Sequence, residues 1–168
     1  VSVKLPRGFF AGVALVVVLG SVNIYSMSTM SKSINEMAIN WLPSIRELGA
    51  GSRHLLDARR LQLLALTATT DAGRQQSLRG FAETLDKLQA RLKKYEALIS
   101  SDEERRIFEE FKKSFDVYLS LSEKMGDAVK QGKNDEALRI SSDEMPKFIS
   151  AATDALNRGV EVNDKGAA

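Results

Sequence analysis

The sequence predicts an all-α fold: an antiparallel up-down-up-down four-helix bundle whose first helix is continuous with an N-terminal transmembrane helix. Three observations predict it. Helix breakers are scarce, with 3 Pro and 11 Gly in 168 residues. Apolar residues recur at three- and four-residue steps along four long stretches. Turn chemistry separates those stretches near 71–73, 100–101 and 131–134. Residues 1–30 are expected to form a cytoplasmic stub and a membrane helix, and 31–168 the bundle on the far side of the membrane.

The membrane helix rests on charge. Lys4 and Arg7 precede 24 uncharged residues, Gly8 to Ser31. As a helix these span ~36 Å, enough for a bilayer core of ~30 Å. Cations on the amino side keep that end in the cytoplasm and place the bundle outside. A cleaved signal peptide competes, because the densest apolar part is only Phe9 to Leu19. No A-x-A-like site comes after it, however, and helix-compatible sequence runs on into Ile34, so an uncleaved segment is expected. The Val1 start and the Gly-Ala-Ala end predict a piece of a longer protein.

The first bundle helix carries a seam of Trp41, Ile45, Leu48, Ser52, Leu55, Arg59, Gln62 and Leu66. Pro43 should kink it near Ile39, and Gly73 is expected to cap its end in a left-handed conformation. The second helix shows Leu78, Phe81, Leu85, Leu88, Leu92, Tyr95 and Ile99, all apolar or aromatic. Ser101 and Glu104 form a capping box that starts the third, whose seam runs Phe108, Phe111, Phe115, Tyr118, Ser122, Met125 and Val129. Gly132 breaks it and Asn134 is expected to cap the fourth. There the seam reads Leu138, Ser141, Met145, Phe148, Ala152, Ala155, Gly159 and Val162, with Pro146 as a second kink.

Three seams turn polar at a common height. Measured from the 71–74 and 131–134 turns, Arg59 and Gln62 lie ~14–18 Å down, Ser122 ~15 Å and Ser141 ~12 Å. Pro146 frees the Ser142 carbonyl near the same layer, and Tyr118 stands one turn away. Polar substitutions clustered in height point to a pocket, although a buried polar layer that fixes register gives the same pattern. Arg53 and Arg60 flank the seam on one edge, where Asp57 can satisfy both at the surface.

Other chemistry is poorly represented. A net charge of +2 with no basic block argues against nucleic acid. Zero Cys removes disulfides, thiolate metal sites and thiol nucleophiles. His54 is the only histidine, which disfavours a metal centre or a Ser-His-Asp set. No phosphate loop is present. The reading is therefore non-enzymatic, without metal or cofactor.

The sequence resembles the four-helix-bundle sensor domain of methyl-accepting chemotaxis proteins. The residues that carry the likeness are the N-terminal membrane helix, WLPSIRELG at 41–49 with its Leu42-Pro43-Ser44-Ile45-Arg46 phrase, RRLQLLAL at 59–66, and an Asn163 to Ala168 ending that looks like the lead-in to a second membrane helix. Sensor kinases and cyclases share the phrase, so the output module stays open, as does a structural bundle without a small-molecule site. The resemblance implies a homodimer through the first helix, a periplasmic ligand site and an inner-membrane location. By position it implies that Arg53, Arg59 and Arg60, with Ser141 or Ser142 of the fourth helix, hold a ligand carboxylate, and Tyr118 would complete the hydrogen bonds. Malate-, citrate- and aromatic-acid-like molecules all suit such a set.

Overall fold

A computed structural model describes residues 7–167, with side chains described from Val16 onward except those of Ser33 and Ala167. Lys4 lies outside the described residues. The chain divides into two compact units, Val1–Ile39 and Asn40–Ala168.

In the first unit, α1 spans Arg7–Glu36. From Val16 its apolar side chains are exposed, among them Val17, Leu19, Ile24 and Met27. Ser21, Asn23 and Thr29 each donate to a carbonyl four residues back, so their polar groups are satisfied inside the helix. Among the described residues no helix is long and apolar enough to cross a membrane.

The second unit is the four-helix bundle, built from α2 (Leu42–Thr67), α3 (Asp71–Glu96), α4 (Asp102–Lys130) and a fourth rod of α5 (Asn134–Arg139) and α6 (Pro146–Ala167). α2 packs on α3 and α6, and α4 packs on α6. Tyr95 meets Phe108 edge-on at 5.6 Å across α3 and α4. Phe108, Phe111, Phe115 and Tyr118 then stack along α4, as its three-four spacing predicts.

The α2 seam differs in phase from the prediction. Leu48, Leu55 and Gln62 are buried, but their partners are Ser44, Gly51, Ala58 and Ala65 rather than Ile45, Ser52, Arg59 and Leu66. These four small residues, seven apart, let neighbouring helices close in. A Cβ on Gly51 would already touch Leu88 and Leu156 at 3.6 and 3.9 Å. Small residues carry little hydropathy, so periodicity alone favours the bulkier position beside each one.

The ends also differ in detail. Gly73 is no left-handed cap: it sits in the first turn of α3, where its N–H donates to the hydroxyl of Thr70, the actual N-cap. Lys133 rather than Asn134 holds the N-cap position of α5, without a side-chain bond. Gly132 does break the chain after α4, at φ 73°, and the Ser101–Glu104 capping box is present.

Both predicted proline kinks take the form of π-helical turns, Met37–Trp41 ahead of Pro43 and Ile140–Glu144 ahead of Pro146. Each inserts one residue into the helical phase. The second insertion explains why Leu138 is half exposed while Ala137 is fully buried. It also moves a free carbonyl. The Met145 N–H donates to Ile140, five residues back. In that register the partner of the Ser141 carbonyl would be Pro146, which has no N–H. The carbonyl released is thus that of Ser141, where counting by four predicts Ser142.

Candidate functional site

The polar layer exists, and Arg59 is its centre. One guanidinium nitrogen donates to the freed Ser141 carbonyl at 2.6 Å and to the Ser141 hydroxyl at 3.0 Å. The other donates to Gln62 Oε1 at 2.8 Å and lies 3.1 Å from the Met145 sulfur. Gln62 in turn donates to Ser122 Oγ at 2.8 Å and accepts from the Tyr118 hydroxyl at 3.3 Å. Every acceptor around this half-buried cation is neutral. Burial lowers the pKa of Arg59, and burial likewise pushes the Tyr118 phenol up to about 12.

A second polar cluster, of opposite sign, surrounds Glu104. Its Oε2 accepts from the backbone and hydroxyl of both Ser100 and Ser101 at 3.0–3.1 Å. Its Oε1 accepts from Asn163 Nδ2 at 3.0 Å and, more loosely, from Tyr95 at 3.5 Å. Burial opposes ionisation, but the Ser100, Asn163 and Ser101 donors outweigh it and hold the carboxyl below its ordinary range. The sequence marks Glu104 only as half of a capping box. Asn163, four residues beyond Gly159, closes the cluster from α6.

A third buried charge, Glu47, ties α2 to α3. Arg91 donates to it at 3.0 Å and the exposed Arg46 at 3.0–3.1 Å. Burial opposes the charge here too, and the two arginines more than offset it, so the Glu47 carboxyl stays below its usual range. His54 lies near that pair. Burial first, then the charges of Arg91, Lys87 and Arg53, lower its pKa and keep it neutral. Among the described residues no group of His, Asp and Glu is arranged to hold a metal ion.

The four rods thus enclose three polar clusters, centred on Arg59, Glu104 and Glu47. The family model for the four-helix-bundle sensory module for signal transduction matches residues 1–168. The chain belongs to that family. It is the family of periplasmic sensor domains of membrane chemoreceptors. No curated protein matches the chain.

Within the sensory module the predicted ligand residues separate into two places. Arg59, Tyr118 and Ser141 meet in the internal layer. Arg53 and Arg60 lie exposed on the outer face of α2, where Asp57 accepts from Arg60 at 2.7 and 2.9 Å. Arg53 makes no ion pair among the described residues. Ser142 makes no bond to Arg59, and its hydroxyl donates to Asp143 at 2.7 Å. About a third of a helical turn separates Arg59 from each of Arg53 and Arg60. That rotation is enough to bring one guanidinium inside and leave the other two at the surface.

Proposed function

We propose that this sensory module is the periplasmic part of a chemotaxis receptor in the bacterial inner membrane, working as a homodimer through α2 and detecting a small organic acid. One observation carries the reading. Leu42, Gly49, Leu56 and Leu63 recur every seven residues on the outside of α2, and the three leucines are 52%, 49% and 40% exposed. Arg46, Arg53 and Arg60 alternate with them at the intervening three-four positions. That is a coiled-coil strip without a partner, and a second copy related by a two-fold axis supplies the matching one.

The alternation sets the ligand chemistry. Across a two-fold axis each arginine approaches its own copy, and like charges oppose pairing. Asp57 neutralises Arg60 and Glu47 engages Arg46, which leaves Arg53 as the uncompensated cation. A carboxylate between two copies of Arg53 removes that repulsion and accepts two parallel hydrogen bonds from a guanidinium fork. Malate-, citrate- and aromatic-acid-like molecules belong to this class. Ligand and dimer are then linked, each raising the population of the other. Support for anchoring comes from the exposed apolar surface of α1 and its internally bonded Ser, Asn and Thr side chains, which suit lipid.

Calorimetry on the full chain in lipid nanodiscs, with a panel of carboxylates, tests the ligand. A charge-assisted hydrogen bond contributes ~1.5–3 kcal/mol, so Arg53→Ala should weaken binding roughly ten- to a hundredfold. Arg60→Ala should weaken it less. Equal affinity for parent and Arg53→Ala overturns the site. Sedimentation of the detergent-solubilised chain tests the assembly, and a monomer at high concentration with and without the acid overturns the dimer.

A further inference from the structure

We infer that the bundle holds a second, intrasubunit site for a small uncharged molecule with an aromatic or branched apolar body and one hydroxyl or amide group. It lies in a cavity of about 770 Å³ between α2, α3 and α4, toward the end that carries the 68–70 and 131–133 connections. Leu66, Leu78, Met125 and Val129 line it. Leu78, Met125 and Val129 occupy apolar three-four positions of α3 and α4, and Leu66 stands beside the buried Ala65 of α2. Leu78 nevertheless remains 43% exposed. The space is thus a half-open groove at that end of the bundle, with an apolar floor.

Gly126 forms part of the wall. It lies inside α4, where glycine is the poorest ordinary helix former. A Cβ built on it meets nothing within 4 Å, so no neighbouring side chain demands a glycine there. Its effect is to keep the cavity wall open. A half-open groove of this size can take one small ligand.

The rim decides the charge of that ligand. Arg74 and Lys130 stand against Glu123 and Asp127, two of each sign. Lys130 donates to Asp127 at 3.0 Å, and Arg74 lies 3.9 Å from Asp71. A carboxylate would face two acids and an ammonium two bases, so the rim favours neither. Gln75 and the charged tips still offer hydrogen bonds to one neutral polar group. The apolar wall, with the polarizable Met125 thioether, favours a ring.

The test uses the full chain in nanodiscs labelled with methyl-¹³C methionine. The five methionines report separately: Met27, Met30 and Met37 outside the bundle core, Met145 at the Arg59 layer, and Met125 in the cavity. Phenol and benzyl alcohol should shift Met125 saturably by ring current and leave Met145 in place. Benzoate and benzylamine should bind at least about tenfold more weakly. Gly126→Leu places a side chain in the groove and should weaken the Met125 response at least about tenfold while the Met145 signal stays native. Arg53→Ala should leave the response unchanged, which separates this site from the α2 face. The inference is overturned if Met125 does not respond to the uncharged probes, if benzoate binds better than benzyl alcohol, or if Gly126→Leu binds the uncharged probes as tightly as the parent.

Discussion

Glu104 and Arg59 each stand at the centre of an internal polar cluster, and the protein treats the two charges oppositely. Glu104 is only 3% exposed, yet six donors converge on its two oxygens. Two are backbone N–H groups of the 100–101 connection, which have no other helical partner. A side-chain acceptor at this place is therefore required by the chain reversal itself. Arg59 is less buried, and its four contacts are a carbonyl, a hydroxyl, an amide oxygen and a thioether. None is ionised. A cation among neutral dipoles is held in position but not neutralised, and it depends on a carbonyl that is free only because the fourth rod carries a π turn before Pro146. The first layer locks one end of the bundle. The second is a soft place, where a change in the π turn would release Arg59.

The sharpest break of this comparison is Glu104→Ala. It strands the two N–H groups, both serine hydroxyls and the Asn163 amide in a buried place, and should cost ~3–5 kcal/mol. Urea unfolding, read by circular dichroism, measures it directly. A loss near ~1 kcal/mol would show the layer to be open to water and dissolve the contrast. Arg59→Met keeps the unbranched apolar stem without the guanidinium and leaves the Ser141 carbonyl and hydroxyl and part of Gln62 without that donor. Water can reach this half-buried position, so the expected loss is ~1–2 kcal/mol. A larger loss than that of Glu104→Ala would reverse the ranking of the two layers.

Acid sharpens the same comparison. Glu104 and Glu47 both have carboxyl pKa values lowered by folding, so each contributes stability that is complete above the unfolded value of ~4.3. That contribution is lost as pH falls through the lower folded value. Unfolding midpoints should thus drop below about pH 4, less steeply in Glu104→Gln, and least in the double variant with Glu47→Gln. Arg59 adds no slope there, because burial lowers a guanidinium pKa that begins far above this window. An unchanged acid slope in the double variant would assign the pH dependence to other carboxylates.

Legibility in the sequence depends on which residues advertise themselves. The aromatic run of α4 and the Ser101–Glu104 box are strong local signals, and both can be read directly. The Arg59, Gln62, Ser122 and Ser141 layer is legible as well, because each residue breaks an apolar seam at the same height. Gly51, Ala58 and Ala65 are not, since a small residue in a seam looks like a gap between two large ones. Nor is the Leu138-to-Ala137 phase change, because proline predicts a kink but not that the chain absorbs it as a one-residue insertion. Glu47 and Asn163 escape for another reason. Their partners, Arg91 and Glu104, lie 44 and 59 residues away, and only the fold brings them together.

The smallest effects come from a matched pair of tyrosines, one against each layer. Tyr95→Phe removes a hydroxyl 3.5 Å from a carboxylate that keeps five closer donors. Tyr118→Phe removes a hydroxyl 3.3 Å from Gln62 Oε1, which keeps Arg59 at 2.8 Å. Both rings stay packed, so each change isolates one hydrogen bond. The Glu104 layer is over-supplied with donors, and losing the longest should cost under ~0.5 kcal/mol. The Arg59 layer has fewer bonds to spare, and Tyr118→Phe should cost ~0.5–1 kcal/mol. Denaturant midpoints for the two variants decide the order. Tyr95→Phe as the costlier change would mean that the carboxylate needs its sixth donor, and that the redundancy around Glu104 is not real.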